Sequence, residues 1–370
     1  MPVSISGTNG VTFPDSSLQA AAASPYTLKN KIINGAMVVD QRNAGASVTA
    51  SVTNALTYTL DRFYYFASVA SKFTVQQNAG SVTPPVGFTN YLGITSSSAY
   101  SVLSVDTFII GQRIEGFNTA DLDFGTANAK TVTLSFWVRS SLTGTFGGAL
   151  INSAANRNYL FSYTISVTNT WEYKTITVAG DTTGTWLTNN GTGIEVRFGL
   201  GSGATYSGTA GSWGASNLVQ PTGSVSVVGT NGATFYITGV QLEQNTSATP
   251  FERRLYNQEL ANCQRYTYVG TDGNCFVAGA APSSTNVYIK YVLPVPMRTI
   301  PTLSFVSSIS ISDQYVADFT AATPTVATAP SATSDISGRV QLSGFSGLTV
   351  GRWYGGAPSG TGKSIFSAEL

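Results

Sequence analysis

The chain has 370 residues, 42% hydrophobic and only 10% charged, with 19 Lys and Arg against 18 Asp and Glu, no histidine and two cysteines. Its net charge of +1 offers no surplus for counterion-releasing nucleic-acid binding or for a polybasic membrane patch. The missing histidine removes Ser-His-Asp, Cys-His and His-ligated metal sites, and two cysteines cannot form a four-thiolate zinc site.

In chain order, residues 1–28 mix turn residues (Ser6-Gly7-Thr8-Asn9-Gly10) with Phe13-Pro14-Asp15 and the small-residue run 20–23, too little apolar bulk for a core. An attachment arm and plain terminal disorder are both open readings of it. Met1 to Gln19 also lacks the basic start and apolar stretch of an export signal, and no run in the chain approaches the ~20 apolar residues that cross a bilayer. No membrane insertion is expected.

From residue 29 to 248 the pattern is a series of short period-two runs bounded by Gly, Asn, Asp or Pro. Val132, Leu134, Phe136 and Val138 share one face of 131–139, and Thr133, Ser135, Trp137 and Arg139 the other. Ile194, Val196, Phe198 and Leu200 repeat this against Glu195 and Arg197, and Tyr159, Phe161, Tyr163 and Ile165 do so again. Further strands are expected over 72–77, 88–94, 108–114, 171–178 and 234–242. With no helical period between them, about eight strands predict a two-sheet sandwich of jelly-roll type; a parallel sheet would need crossover helices.

At 249–266 the character changes. Thr249, Pro250 and Glu252 have the spacing of a capping box, and Phe251, Leu255, Tyr256, Leu260, Cys263 and Tyr266 share about half of a helical wheel. This segment is expected to be a connector helix. Strands return from 267 to 370, over 274–280, 286–293, 302–311, 337–345 and 348–354, with the Thr-, Pro- and Ala-rich stretch 321–332 expected as an exposed loop. The fold expected is therefore all-β: an arm (1–28), a jelly-roll β-sandwich (29–248), a connector helix (249–266) and a smaller C-terminal β-sandwich (267–370). A chain this long builds cores without disulfide staples, so Cys263 and Cys275 are expected as free thiols.

Chemistry is sparse. Asp121 and Asp123 are the one sequence-adjacent carboxylate pair open to a glycosidase mechanism, but the segment reads first as an ordinary turn, with a catalytic pair or part of a calcium site as lesser readings. Asp61-Arg62 reads as a structural ion pair or a backbone-satisfying pair at a strand start, beside the aromatic run Phe63-Tyr64-Tyr65-Phe66. Trp186, Tyr206 and Trp213 lie in Thr-, Gly- and Asn-rich stretches. They are either stacking contacts for sugar rings or plugs over the open end of the sandwich. Trp137, Trp171 and Trp353 lie in strand-like runs and are expected to pack. No catalytic residue, metal ligand or cofactor is assigned.

Several segments, in order, resemble tail fibres and receptor-binding proteins of tailed bacteriophages. Ile5 to Gln19 resembles their N-terminal attachment segment. Ile33-Asn34-Gly35-Ala36-Met37 with Asp40-Gln41-Arg42-Asn43, Tyr58 to Phe63, and Phe235 to Glu243 resemble the opening, an early strand and the last strand of their jelly-roll. Thr249 to Arg254 with Cys263-Gln264-Arg265-Tyr266 is similar to the helix that follows, and 294–301 with Ala368-Glu369-Leu370 to their tip domain. Phe63 stands where a tryptophan is expected. The resemblance implies a non-enzymatic virion tail protein with a carbohydrate-binding-module-like jelly-roll, assembled as a homotrimer. Its arm, including Phe13, Pro14 and Asp15, would attach to a baseplate or upstream fibre, and it would bind host surface polysaccharide or lipopolysaccharide. The sparse charge fits buried subunit contacts. The rival readings are a glycan-degrading tail enzyme using a carboxylate pair and a purely structural tail or collar component.

Overall fold

A computed structural model describes residues 29–271, 276–306, 308–313, 318–321, 325–331, 335–356 and 363–370, together with three short strands of the arm, Ser4–Ser6, Gly10–Thr12 and Leu18–Gln19. Those three strands pair antiparallel into a small sheet. Phe13, Pro14 and Asp15 lie outside the described residues.

Two antiparallel sheets form the jelly-roll. One runs Glu172–Val178, Val132–Ser140, Thr234–Gln244, Leu92–Ser96, Phe73–Gln77 and Val48–Thr49. The other runs Trp213–Gly214, Asn158–Ile165, Gly144–Ile151, Thr192–Ser202, Thr107–Glu115, Tyr64–Ala67 and Thr57–Tyr58. The alternation read from the sequence decides which side chains face inward: Leu134, Phe136, Phe161, Ile194, Val196, Phe198 and Ile237 are all buried in one continuous core. Rings carry much of the packing, with Phe136 edge-on to Phe198 at 5.1 Å and to Tyr163 at 5.0 Å.

The strand Gly144–Ile151 has no counterpart among the expected elements, because Gly147 and Gly148 interrupt the apolar period. Both glycines are required by close approach. A Cβ on Gly148 would lie 2.0 Å from the Arg197 carbonyl oxygen, and one on Gly147 would lie 2.3 Å from Cδ of Pro221.

Two other expectations are corrected. The helix is Tyr256–Gln264, with Leu255 at its N-cap and no side-chain cap, so the capping box at 249–252 does not form. Its members are engaged elsewhere: Glu243 accepts from the Thr249 amide at 2.8 Å and hydroxyl at 2.7 Å, and the Glu252 carboxylate accepts from the amides of Lys29 and Asn30. The stretch expected as a loop contains the strand Thr325–Ser331, which pairs with Ser337–Ser343. It is the edge of its sheet, where Pro330 is tolerated.

The C-terminal part is built from three small sheets around a second core that includes Val287, Ile289, Tyr291, Leu342, Tyr354 and Phe366. Lys363–Ser367, also not anticipated, is the centre of a three-stranded sheet between Thr267–Thr271 and Thr302–Val306.

The segments that carry the resemblance meet at the joint between the two β units. Arg62 is 1% exposed, with φ of 70°. It donates to the Glu369 carboxylate and the Arg113 carbonyl, and its guanidinium lies 3.5 Å from the Tyr266 ring centroid. Arg42 bonds Asp61, Glu369 and the Thr267 hydroxyl. Glu115 accepts from Arg265 at 2.9 and 2.6 Å and from the Tyr266 hydroxyl at 2.6 Å. Arg298 donates to the carbonyls of Ala368, Glu369 and Asn190, each at 2.8 Å. Asp61 and Arg62 are thus both structural, but they do not pair with each other as expected: Asp61 is matched by Arg42 and Arg62 by Glu369. Cys263 is buried in this joint beside Ile33, Val39 and Tyr266 as a free thiol; Cys275 lies outside the described residues.

Candidate functional site

The outer face of the seven-stranded sheet carries a charged cluster in a chain that has few charges. Register places Glu195 directly opposite Arg113 and Arg197 opposite Gly111. Gly111 lacks a side chain because the Tyr64 ring lies over it: a Cβ there would be 2.5 Å from the phenol oxygen. Tyr64 therefore reaches across to donate its hydroxyl to Glu195. Arg113 Nε donates to the same carboxylate at 3.1 Å and Arg197 Nε at 2.5 Å.

Burial alone would push the Glu195 carboxyl up, but Arg197, Arg113 and the Tyr64 hydrogen bond together hold it below its usual range. Burial and the adjacent carboxylate push the Tyr64 phenol well up, so it stays a protonated donor. Two guanidiniums against one carboxylate leave the cluster with one net positive charge.

A groove of about 220 Å³ opens above the cluster, lined by Arg113, Arg197, Phe66, Tyr206, Asn217, Leu56 and neighbours. Its wall is the 203–221 segment, folded back over the sheet. The Gly203 amide donates to the Asp106 carbonyl at 2.9 Å and the Val219 amide to the Tyr206 carbonyl at 2.9 Å. Ser207–Gly208 pairs in parallel with Gln220–Pro221, and Val219 is buried against Tyr64 and Ile109. Arg197 Nη1 donates to the Asn217 side chain at 2.9 Å. The groove thus offers guanidinium and amide donors beside the aromatic surfaces of Phe66 and Tyr206. Apolar walls with a few convergent polar groups are the usual make-up of a small-ligand site.

Of the three aromatic residues singled out from the sequence, Tyr206 lines this groove, and Trp186 and Trp213 meet elsewhere. Trp186 is 9% exposed, edge-on to Phe124 at 5.0 Å and to Trp213 at 5.4 Å. Trp213 also contacts Tyr159 at 5.4 Å. The indole nitrogens donate to loop carbonyls, Trp186 to Thr183 and Trp213 to Ala179. A bidentate Arg157–Asp181 pair at 2.7 Å ties the same loops. Trp353, expected to pack, is instead 63% exposed on the strand Trp353–Gly356.

Asp121 is on a short 3-10 turn and pairs with Lys31 at 2.6 Å, and Asp123 follows in a left-handed conformation 3.6 Å from Lys130. Both carboxylates are about half exposed. Among the described residues no group of three or more His, Cys, Asp or Glu side chains converges as a metal site.

Arg113 and Asn217 were not singled out from the sequence. The available signal was Glu195 and Arg197 on the polar face of a strand in a chain whose exposed sheet positions are otherwise mostly hydroxyls. Their partner across the sheet is set by register alone.

No family profile matches the chain, and no curated protein matches it. Among solved structures it is similar to the enzymatically active domain of tailspike protein 4 of bacteriophage CBA120, with 12% identity and a TM-score of 0.32, over 60% of this chain and 22% of that one. It is similar to a putative sugar binding protein from Bacteroides thetaiotaomicron at 13% identity and a TM-score of 0.33, over 59% and 100% of the two chains. A family 11 carbohydrate-binding module from Clostridium thermocellum, in complex with a mixed-linked tetrasaccharide, shares 11% identity and a TM-score of 0.26, over 56% and 100%. The chain therefore spans about a fifth of the tailspike domain, and likenesses at these TM-scores assign no function.

Proposed function

We propose that the chain is a structural subunit of a bacteriophage tail whose jelly-roll binds a glycan on the bacterial surface. The observation that carries the glycan reading is the groove on the seven-stranded sheet. Guanidinium and amide donors converge there beside Phe66 and Tyr206, and the net positive Arg113–Glu195–Arg197 cluster favours a sugar bearing an acidic group. The tail reading rests on the order of the segments that resemble phage fibres. In this reading residues 1–28 attach to a baseplate or upstream fibre, 29–248 bind glycan, 249–266 connect, and 267–370 form the tip. Three copies assemble, so that weak contacts act together.

Adsorption of the purified protein to bacterial cells tests the glycan reading. Periodate oxidation of the cell surface should abolish adsorption, and Tyr206→Ala should weaken it about tenfold, the cost of losing an aromatic contact of ~1.4 kcal/mol. Adsorption untouched by both treatments would remove the groove as the receptor site. Light scattering should report three chains per particle; a monomer at micromolar concentration would overturn the assembly.

A further inference from the structure

A second cleft, of about 490 Å³, lies between the turn that follows the strand Thr107–Glu115, the chain at Asn30–Ile33, and the helix. Its two facing walls are held rigidly. On one side Gly116 and Phe117 donate their amides to the carbonyls of Gly191 and Asn189, at 2.8 and 2.9 Å, and a Cβ on Gly116 would lie 2.4 Å from the Leu187 carbonyl oxygen. On the other, the helix is anchored by Glu259, which accepts from the Asn34 amide, and by buried Cys263.

Onto these walls the chain places Phe117, 62% exposed, facing a cleft it lines with Asn118, Gln258 and Asn262. Gln258 and Asn262 are four apart and share one helix face. The side-chain amides of Asn118, Gln258 and Asn262 make no hydrogen bond among the described residues. The cations lining the cleft, by contrast, are already matched. Lys31 bonds both Asp121 oxygens at 2.9 and 2.6 Å, and Arg254 lies between Glu252 at 3.7 Å and Glu259 at 3.5 Å.

Three uncommitted amides, each both donor and acceptor, beside an exposed aromatic face are chemistry suited to adjacent hydroxyls on a ring with apolar C–H faces. The volume lies within the about 300–1,000 Å³ of small-molecule sites. With its charges internally paired, the cleft has no free counter-ion to offset the desolvation of an acidic ligand. We infer that this cleft is a second saccharide site, separate from the sheet groove, and that it takes an uncharged, hydroxyl-rich sugar unit. It does not depend on the groove being a receptor site.

Titrating the full-length protein with cellobiose, maltose and lactose, with digalacturonate as the charged comparator, tests this by amide NMR. At least one uncharged disaccharide should shift the side-chain amides of Gln258 and Asn262 and the backbone of Phe117. The apparent affinity should fall at least tenfold in Phe117→Ala and in Asn262→Ala, while Tyr206→Ala leaves it unchanged. Both cleft variants change side chains that are not fully buried, and an unfolding midpoint matching the wild type is required of each. Absence of any shift up to about 50 mM, well past the millimolar range of weak sites, would overturn the inference. So would shifts that survive in both cleft variants, or a response to digalacturonate as strong as to the neutral sugars.

Discussion

Glu195 shows how a single buried carboxylate organises a surface. It is 2% exposed yet ionised, because two guanidiniums and a phenol bond to it. Glu195→Gln would leave both arginines without their counter-ion and is expected to cost about 3–5 kcal/mol in urea unfolding; a loss below about 1 kcal/mol would contradict the cluster. Since its folded pKa is depressed, its contribution is present above the ordinary carboxylate range and is lost as pH falls through the folded value. Asp61 has the opposite sign. Burial, only partly offset by Arg42, pushes it up to about 7, so the folded state holds this proton more tightly than the unfolded chain. Between about pH 4 and 7 its contribution to stability therefore falls as pH rises. The stability of wild type relative to Asp61→Asn should decrease from pH 5 to pH 8; an increase would reverse the assignment.

The strand Gly144–Ile151 depends on two glycines that a reading by period passes over. Gly148→Ala forces a methyl against the Arg197 carbonyl across the sheet and should lower stability by about 2–3 kcal/mol, seen as a drop of several degrees in Tm. A Tm equal to that of the wild type would mean the strand approaches less closely. The helix makes a complementary point. Thr249→Ala removes a hydrogen bond to Glu243 and caps nothing. It should cost stability while leaving the NMR helical shifts of Tyr256–Gln264 unchanged, whereas fraying of the helix start would restore the capping box.

Across the whole molecule, the two β units are joined by a buried polar network centred on Arg62 and Glu369. Glu369→Ala strands a guanidinium that is 1% exposed and is expected to cost about 3–5 kcal/mol. Because that energy lies at the joint, the C-terminal unit should also melt separately in calorimetry, giving two transitions with the jelly-roll unfolding last. One unchanged transition would show that the units are coupled mainly through apolar contacts such as those of Ile33, Val39, Cys263 and Tyr266.

Period two determined the all-β class, the jelly-roll and most inward-facing residues, since side-chain alternation is a local property of extended chain. Composition likewise removed histidine chemistry at the outset. What local pattern could not carry was any feature made by residues far apart in sequence. Glu195 meets Arg113 and Tyr64 through register, and Thr249 and Glu252 are drawn from a helix cap by Glu243 and by the amides at 29–30. Tyr206 is separated from Trp186 and Trp213 by the path of one loop. Phe117 comes to face Gln258 and Asn262 only when the helix docks. The sequence alone therefore determined the class of the fold, most of the jelly-roll strands and which side of each is buried. Tertiary structure decided where charges, amides and rings converge, because that depends on pairings between distant segments whose free energies no local window contains.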